Sequence, residues 1–396
     1  MKPVLFEIPG IGYGVPGYGV CLMIGFLLSI WWAGRRALQS RADPDVVLNC
    51  GFIALLGGVI GARAMYVWHY WEQFYPRESL GQVIWGILGV WNGGLEVYGG
   101  VIAVVVGVLL YLGLTRRSIR WYLDIMAPSA ALGMAIGRIG CLLNGCCWGG
   151  ACDLPWAVRF PYGSNALVQQ WNDQAAGAGL PQQLLADAGV AAQPLSRDIL
   201  RVSERQVTQA QEAVDAQRKR IGQLRTRLAT AGASEKPALA RQLEGEERRL
   251  RGLDEQHHAV RAQMQKYGLT FGQLRELAAQ FRSRPVHPTQ LYAAITLGLI
   301  AWLLSAVYWR RTRDGQVICT FLLIEPPARY VLELLRADNP VDVGTLTISQ
   351  AIAVSLSAVG LGGLLLLRRL PPRSPRAVPF EPPPGSAAGA AARARA

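Results

Sequence analysis

The sequence predicts an all-α, polytopic membrane protein of about seven transmembrane helices, interrupted by an inserted extracytoplasmic helical hairpin. Three observations predict it. The chain is 51% hydrophobic and only 17% charged, and the charges crowd into Ser196 to Arg284 and into short loops. Apolar runs of about 20 residues, enough helix for a hydrocarbon core of roughly 30 Å, recur before Asn144 and after His287. Arginines mark every second connection between those runs.

The runs give spans Gly17–Gly34, Val46–His69, Gly94–Leu114, Tyr122–Leu143, Thr289–Trp309, Val317–Leu335 and Ile348–Leu367. The sixth is the least apolar, because Pro326, Pro327, Arg329 and Glu333 interrupt it. Arg35, Arg36 and Arg41 follow the first span, and Arg116, Arg117 and Arg120 follow the third. Arg310, Arg311 and Arg313 follow the fifth, and Arg368, Arg369, Arg373 and Arg376 follow the seventh. The opposite loops are nearly bare, Arg77 and Arg336 being the main exceptions. Basic loops stay in the cytoplasm, so the amino terminus is expected outside and the carboxyl terminus inside. The net charge of +13 then needs no nucleic-acid partner; it reflects loops that favour anionic membrane lipids. The first apolar run lacks a basic lead and a small-residue cleavage site, so it reads as a permanent helix.

These features divide the chain into a membrane domain over residues 1–163, an insert over 164–284, a second membrane segment over 285–370 and a tail over 371–396. Hydropathy collapses between Pro161 and Arg284. Leu239, Leu243, Glu246, Leu250, Leu253, His257, Val260 and Met264 step by alternating fours and threes, the spacing of a coiled-coil seam. A looser set runs from Ile199 through Val202, Ala213, Ile221 and Leu224 to Leu228, and residues 230–234 break the two halves. An antiparallel hairpin with a self-contained core is expected, serving as a spacer or docking arm. The tail, rich in Pro, Ala and Arg, has little to bury and is expected to be a disordered cytoplasmic segment.

Several polar groups lie where a membrane span should be apolar, and such groups are costly and usually functional. Gly137 to Gly150 reads GRIGCLLNGCCWGG. Arg138 stands among Gly133, Gly137 and Gly140, small residues that let helices approach closely. A guanidinium drawn into the bundle suits bidentate capture of a phosphate or carboxylate, although an isolated Arg can also snorkel to the interface. Asn144 closes the same helix and can donate to an oxygen while accepting from a hydroxyl. Arg329 and Glu333 are four apart on one face, either as a self-neutralising pair or as an anion-binding cation with its orienting carboxylate. Glu325, Arg63 and Glu96 are further intramembrane charges. Tyr18 fits an interfacial aromatic anchor, and His287, before Pro288, serves as a base or sets a helix entry. Cys141, Cys146, Cys147 and Cys152 have a spacing that matches no usual zinc site. A disulfide between Cys152 and Cys146 or Cys147 is expected instead at an oxidising surface.

These residues resemble the prolipoprotein diacylglyceryl transferase family. Its hallmark, G-R-x-G-N-x-x-N-G-E-x-x-G, overlies Gly137 to Gly149 without a gap. The resemblance extends to Pro155-Trp156-Ala157, to His287-Pro288-Thr289-Gln290-Leu291-Tyr292 and to Arg329 through Arg336. It also takes in Tyr18-Gly19, Gly93-Gly94 and Leu346 to Gln350, and so covers everything but the insert and the tail. It implies transfer of a diacylglyceryl group from phosphatidylglycerol to the lipobox cysteine of a preprolipoprotein, in the outer leaflet of the bacterial cytoplasmic (inner) membrane, with no cofactor. By position, Arg138 binds the lipid phosphate, with Asn144 and Gly149 shaping the site, Tyr18 at its wall, and Arg329 and Glu333 assisting the leaving group. Tyr98 and Arg63 complete the expected substrate-binding set, and His287 the catalytic one. The chain departs from the family at Cys141 for Asn, Cys146 for Glu, Tyr98 for a His and Glu325 for a Tyr. Two rivals remain open: a catalytically silent lipid- or lipoprotein-binding paralogue, which the substitutions favour, and a thiol redox protein, which lacks a C-x-x-C pair.

Overall fold

The computed structural model describes residues 4–7, 14–74, 80–90, 93–173, 180–187, 192–195, 204–230, 232, 235–255, 258–336 and 346–380. The chain forms two compact units, one of Asn144–Pro288 and one of Lys2–Leu143 with Thr289–Ala396. In the latter a short antiparallel pair, β1 (Val4–Glu7) and β2 (Gly14–Pro16), precedes α1 (Gly17–Gln39). Then come α2 (Pro44–His69), the short α3 (Leu80–Leu88), α4 (Val97–Leu114) and α5 (Ile119–Asn144). Pro44 opens α2 at a position that needs no N–H, while the Asp43 carboxylate accepts from the Asp45 N–H at 3.0 Å.

The unit of residues 144–288 carries α6 (Asn165–Asn172), the paired strands β3 (Leu185–Asp187) and β4 (Ala192–Pro194), and α7 (Glu204–Thr230). It continues with α8 (Lys236–Glu255), α9 (His258–Tyr267) and α10 (Phe271–Gln280). The expected hairpin is α7 against α8, with Gln217 donating to Glu246 at 2.6 Å and Arg225 pairing with Glu247 at 2.7 Å. Its core is not self-contained. Leu195, Val207 and Val260 at its base pack with Tyr162, Leu184, Phe271 and Leu274 in one buried cluster. The Tyr162 hydroxyl donates to the Leu184 carbonyl at 3.0 Å, and burial pushes that phenol well above its ordinary pKa. Excising Leu195 to Lys266 would therefore gut this unit. Replacing only residues 221–245 by a short Gly/Ser turn is expected to leave membrane insertion and the activity that the family resemblance implies within about twofold, because the base cluster stays whole. Lipoprotein labelling of the trimmed chain checks this, and loss of labelling in an inserted, folded variant would make the arm tip part of substrate handling.

The chain returns to the first unit with α11 (Thr289–Arg310), α12 (Gln316–Leu334) and α13 (Ile348–Leu367). Among the described residues six helices, α1, α2, α4, α5, α11 and α13, are long and apolar enough to cross a membrane. The seventh expected span, α12, is a helix but falls short in composition, since Glu325, Arg329 and Glu333 stand on it. It packs instead between α11 and α13. Side chains such as Leu27, Ile60 and Trp302 are 58%, 67% and 71% exposed, the surface a bilayer would cover. The fold is a multi-pass helical membrane protein.

Glycines set how closely these helices meet. A Cβ on Gly99 would strike the Gly61 carbonyl, and one on Gly61 the Gly99 carbonyl; Gly100 faces Gly58 in the same way. Thus α2 and α4 touch backbone to backbone. A Cβ on Gly25 would lie 3.1 Å from the Gly133 carbonyl oxygen, which fixes α1 against α5, and one on Gly360 would lie 2.8 Å from the backbone of Leu322. Buried Arg36 ties three helices together, donating to Ile125 and Ser129 on α5 and to Ser305 on α11. Asp124 accepts from the backbone N–H of Gly315 at 2.7 Å and of Ile318 at 2.9 Å, capping the start of α12.

The tail differs in part from expectation. Residues 371–380 are anchored: Asp314 N–H donates to the Pro372 carbonyl, Ser374 N–H to the Asp314 carboxylate, and Phe380 N–H to the Arg41 carbonyl, at 2.8, 2.8 and 2.7 Å. Backbone hydrogen bonds rather than apolar burial hold this strap, so composition gave no sign of it. Residues 381–396, the rest of the expected disordered tail, lie outside the described residues.

Candidate active site in the helical bundle

The membrane unit gathers a line of polar side chains from four helices. Tyr18, at the start of α1, lies on Gly140 of α5: a Cβ there would come within 3.1 Å of the tyrosine ring and 3.0 Å of Cys21. The small-residue face of α5 thus brings α1 against the turn that carries Arg138, as the Gly133, Gly137 and Gly140 spacing anticipates. Across from it, Glu325 on α12 has Arg329 and Arg138 as its charged neighbours. Arg329 donates from Nη2 to the Ser349 hydroxyl at 3.3 Å, and the same hydroxyl meets the Tyr98 phenol at 3.1 Å. Arg329, Ser349 and Tyr98 are therefore joined by hydrogen bonds, and Glu325 lies within the electrostatic reach of both Arg329 and Arg138.

Local structure explains each placement. Tyr98 precedes Gly99 and Gly100, so the backbone contact of α4 with α2 fixes where the phenol emerges. Ser349 sits in the first turn of α13, which a capping box of Thr347 and Gln350 holds. Sequence reasoning missed Ser349. The family-like stretch Leu346 to Gln350 includes it, but nothing in spacing ties a serine there to Tyr98 and Arg329, which lie 251 and 20 positions away. Replacing Ser349 by alanine is expected to cut the activity that the family resemblance implies about tenfold with little loss of fold, since one polar link goes while the capping box stays. Serine-to-threonine, which keeps the hydroxyl, should recover most of the rate in the same labelling assay.

Other expected site residues fare differently. Glu333 is buried and pairs with Arg336 at 3.4 Å. Arg63 has another task from the substrate contact expected of it. Its Nε donates to Ile87, Nη1 to Gly93 and Gly94, and Nη2 to Gly86, at 2.6–2.9 Å. The guanidinium also lies over Tyr66 and Phe74. Four donors spent on backbone carbonyls make Arg63 the pin of the loop before α4, a role that a buried Arg shares with a ligand in any sequence pattern.

In the other unit the two family-like motifs meet by backbone pairing. Gly149 N–H donates to the His287 carbonyl and His287 N–H to the Gly150 carbonyl, both at 3.0 Å, and Ala151 bridges Val286. The buried Gly149 is thereby a backbone donor in an irregular ladder, and His287 owes its position to that ladder. After Asn144, Gly145 takes φ +74° against the Phe160 ring, and Cys147 takes φ +60°. Only glycine adopts the first of these without strain. The ladder lies wholly within the unit of residues 144–288. None of the seven cysteines is in a disulfide, so the expected bridge between Cys152 and Cys146 or Cys147 is not formed.

A glycine-packed helical bundle that crosses a membrane and keeps an arginine–carboxylate–hydroxyl line inside it defines a polytopic membrane protein built around an internal polar site. Comparison with known families narrows this. The family model described as prolipoprotein diacylglyceryl transferase matches residues 3–366, and the chain belongs to that family. Among curated relatives, the phosphatidylglycerol–prolipoprotein diacylglyceryl transferase of Rhodopirellula baltica is 37% identical over 161 residues, covering 40% of this chain and 32% of the relative. Those of Pasteurella multocida and Vibrio cholerae are each 34% identical over 41% of this chain and 58% of their own length. The chain thus spans less than two thirds of these relatives.

Proposed function

We propose that this chain transfers the diacylglyceryl group of phosphatidylglycerol to the lipobox cysteine thiol of a preprolipoprotein, from the outer leaflet of the bacterial cytoplasmic membrane, with its amino terminus outside. The observation that carries this reading is the hydrogen-bonded line of Arg329, Ser349 and Tyr98 in the bundle, with Glu325 in the field of Arg329 and Arg138. The reaction breaks a carbon–oxygen bond to phosphate and forms a carbon–sulfur bond. The electron pair of the broken bond leaves on glycerol phosphate, and the thiol proton must be taken up as sulfur attacks. Arg138 holds the lipid phosphate through its planar fork, and Arg329 neutralises the charge that grows on the leaving oxygen.

Glu325, flanked by both arginines, is the carboxylate placed to receive the thiol proton. Tyr98, at the family's histidine position, acts through Ser349 on the orientation of Arg329. Glu333 holds Arg336, and Tyr18 walls the site on the α1 side. Asn144, Gly149 and His287 enter this reading through the family signature.

Complementation of a transferase-depleted bacterium tests it. Growth, with diacylglyceryl-modified lipoprotein detected by mass spectrometry, is the expected result; an inserted chain that restores neither overturns the assignment.

A further inference from the structure

We propose a second anion site, at the end of the bundle away from Arg138. There the end of α1, the start of α5 and the α11–α12 turn enclose, with the 371–380 strap, a cavity of about 450 Å³. Arg41, Arg311, Arg313 and Arg373 line it, against the single carboxylate of Asp314. The ligand chemistry is a phosphate group, supplied by a phospholipid headgroup or by free phosphate.

Two of the four arginines are built into the wall. Arg311 lies 3.8 Å over the Tyr308 ring, with Nη1 donating to the Tyr308 carbonyl at 2.6 Å and Nε facing Asp124 at 3.5 Å. Arg313 donates to the carbonyls of Leu367 and Leu370, at 2.9 and 2.7 Å. These contacts fix both guanidinium planes before any ligand arrives, which lowers the ordering cost of binding. Asp314 is partly spent, since it accepts the Ser374 N–H at 2.8 Å.

Arg41 and Arg373 complete the site. No carboxylate pairs with either among the described residues. Arg41 is held at φ +58°, and its carbonyl accepts the Phe380 N–H. The strap therefore sets Arg41 and returns Arg373 to the cavity. The general bias of arginine toward one membrane face accounts for their presence. It does not account for a ten-residue strap that folds back to enclose them. Trp309, 55% exposed on the same wall, is the kind of aromatic that lies at headgroup level. Basic pockets between helix ends are suited to anionic headgroups.

Native mass spectrometry of the full chain in mild detergent tests the site, with dioleoyl phosphatidic acid as the lipid probe, dioleoyl phosphatidylcholine as its control and inorganic phosphate as the soluble probe. The wild-type chain is expected to retain phosphatidic acid over phosphatidylcholine. The double variant Arg41→Gln/Arg373→Gln should weaken that retention about tenfold, as loss of two charge-assisted contacts implies. The same fall is expected when the double variant is made in an Arg138→Ala background, where the lipid-phosphate ligand of the proposed reaction centre is already gone, which separates the two sites. Displacement of the lipid by millimolar phosphate, lost in the same double variant, would make free phosphate the natural source; its failure would favour the headgroup. Should the double variant unfold, Arg373→Gln alone carries the test. Equal phosphatidic acid retention in the wild-type chain and a folded variant would overturn the proposal.

Discussion

Replacing Arg138 by alanine is expected to abolish the proposed diacylglyceryl transfer, by about a thousandfold or more, while leaving the bundle folded. The group acts electrostatically on Glu325, so in the proposed reaction its loss leaves the lipid phosphate without its planar donor. Removal of one preorganised donor to developing charge costs about a hundred- to a thousandfold in well-studied enzymes, and here the same side chain also binds the ground state. Arg138→Lys should retain little, because a point charge cannot reproduce a bidentate fork. Labelling of a lipobox substrate in membranes, normalised to inserted protein, measures both. Wild-type labelling by the alanine variant would remove Arg138 from the site.

The second large effect is structural. Gly99→Val is expected to destabilise the bundle by about 3 kcal/mol or more and to inactivate it, because the new side chain would enter the Gly61 backbone and the Met65 side chain. Its neighbour Tyr98 would move with it, breaking the link through Ser349 to Arg329. Gly113→Val, in the same helix with open space at its Cβ, is the control and should cost about 1 kcal/mol or less. Thermal unfolding in detergent compares the two. Equal midpoints would mean that α2 and α4 do not rely on that contact.

Much of this was legible in the sequence. Spans could be counted because bilayer thickness fixes helix length, and only α12 departs, since its charges and prolines defeat a composition rule while its neighbours still hold it as a helix. Arg138 could be picked out because glycine spacing and an intramembrane cation coincide. Ser349 and the role of Arg63 could not. Both depend on which backbone or hydroxyl happens to face a guanidinium, and that follows from the packing of segments far apart in the chain. The strap over residues 371–380 was hidden for a related reason, since its hydrogen bonds use main-chain atoms common to every residue. The hairpin seam was plain from its repeat, yet the way its base merges with Tyr162 and Leu274 was not.

The pairing of Gly149 with His287 has a consequence for how the protein is made. The two residues leave the ribosome well over a hundred positions apart, which at about 5–20 residues per second is roughly ten seconds of synthesis. For that interval the loop after α5 has no partner strand, so the N–H of Gly149 must stay in water or with a temporary acceptor. Assembly of the signature loop is therefore a late event, gated by delivery of the segment just ahead of α11. A ribosome stalled before Val286 would display a membrane-inserted amino-terminal half whose signature loop is still unformed, and such a nascent chain should be nicked by protease after Asn144 until the remaining codons are read.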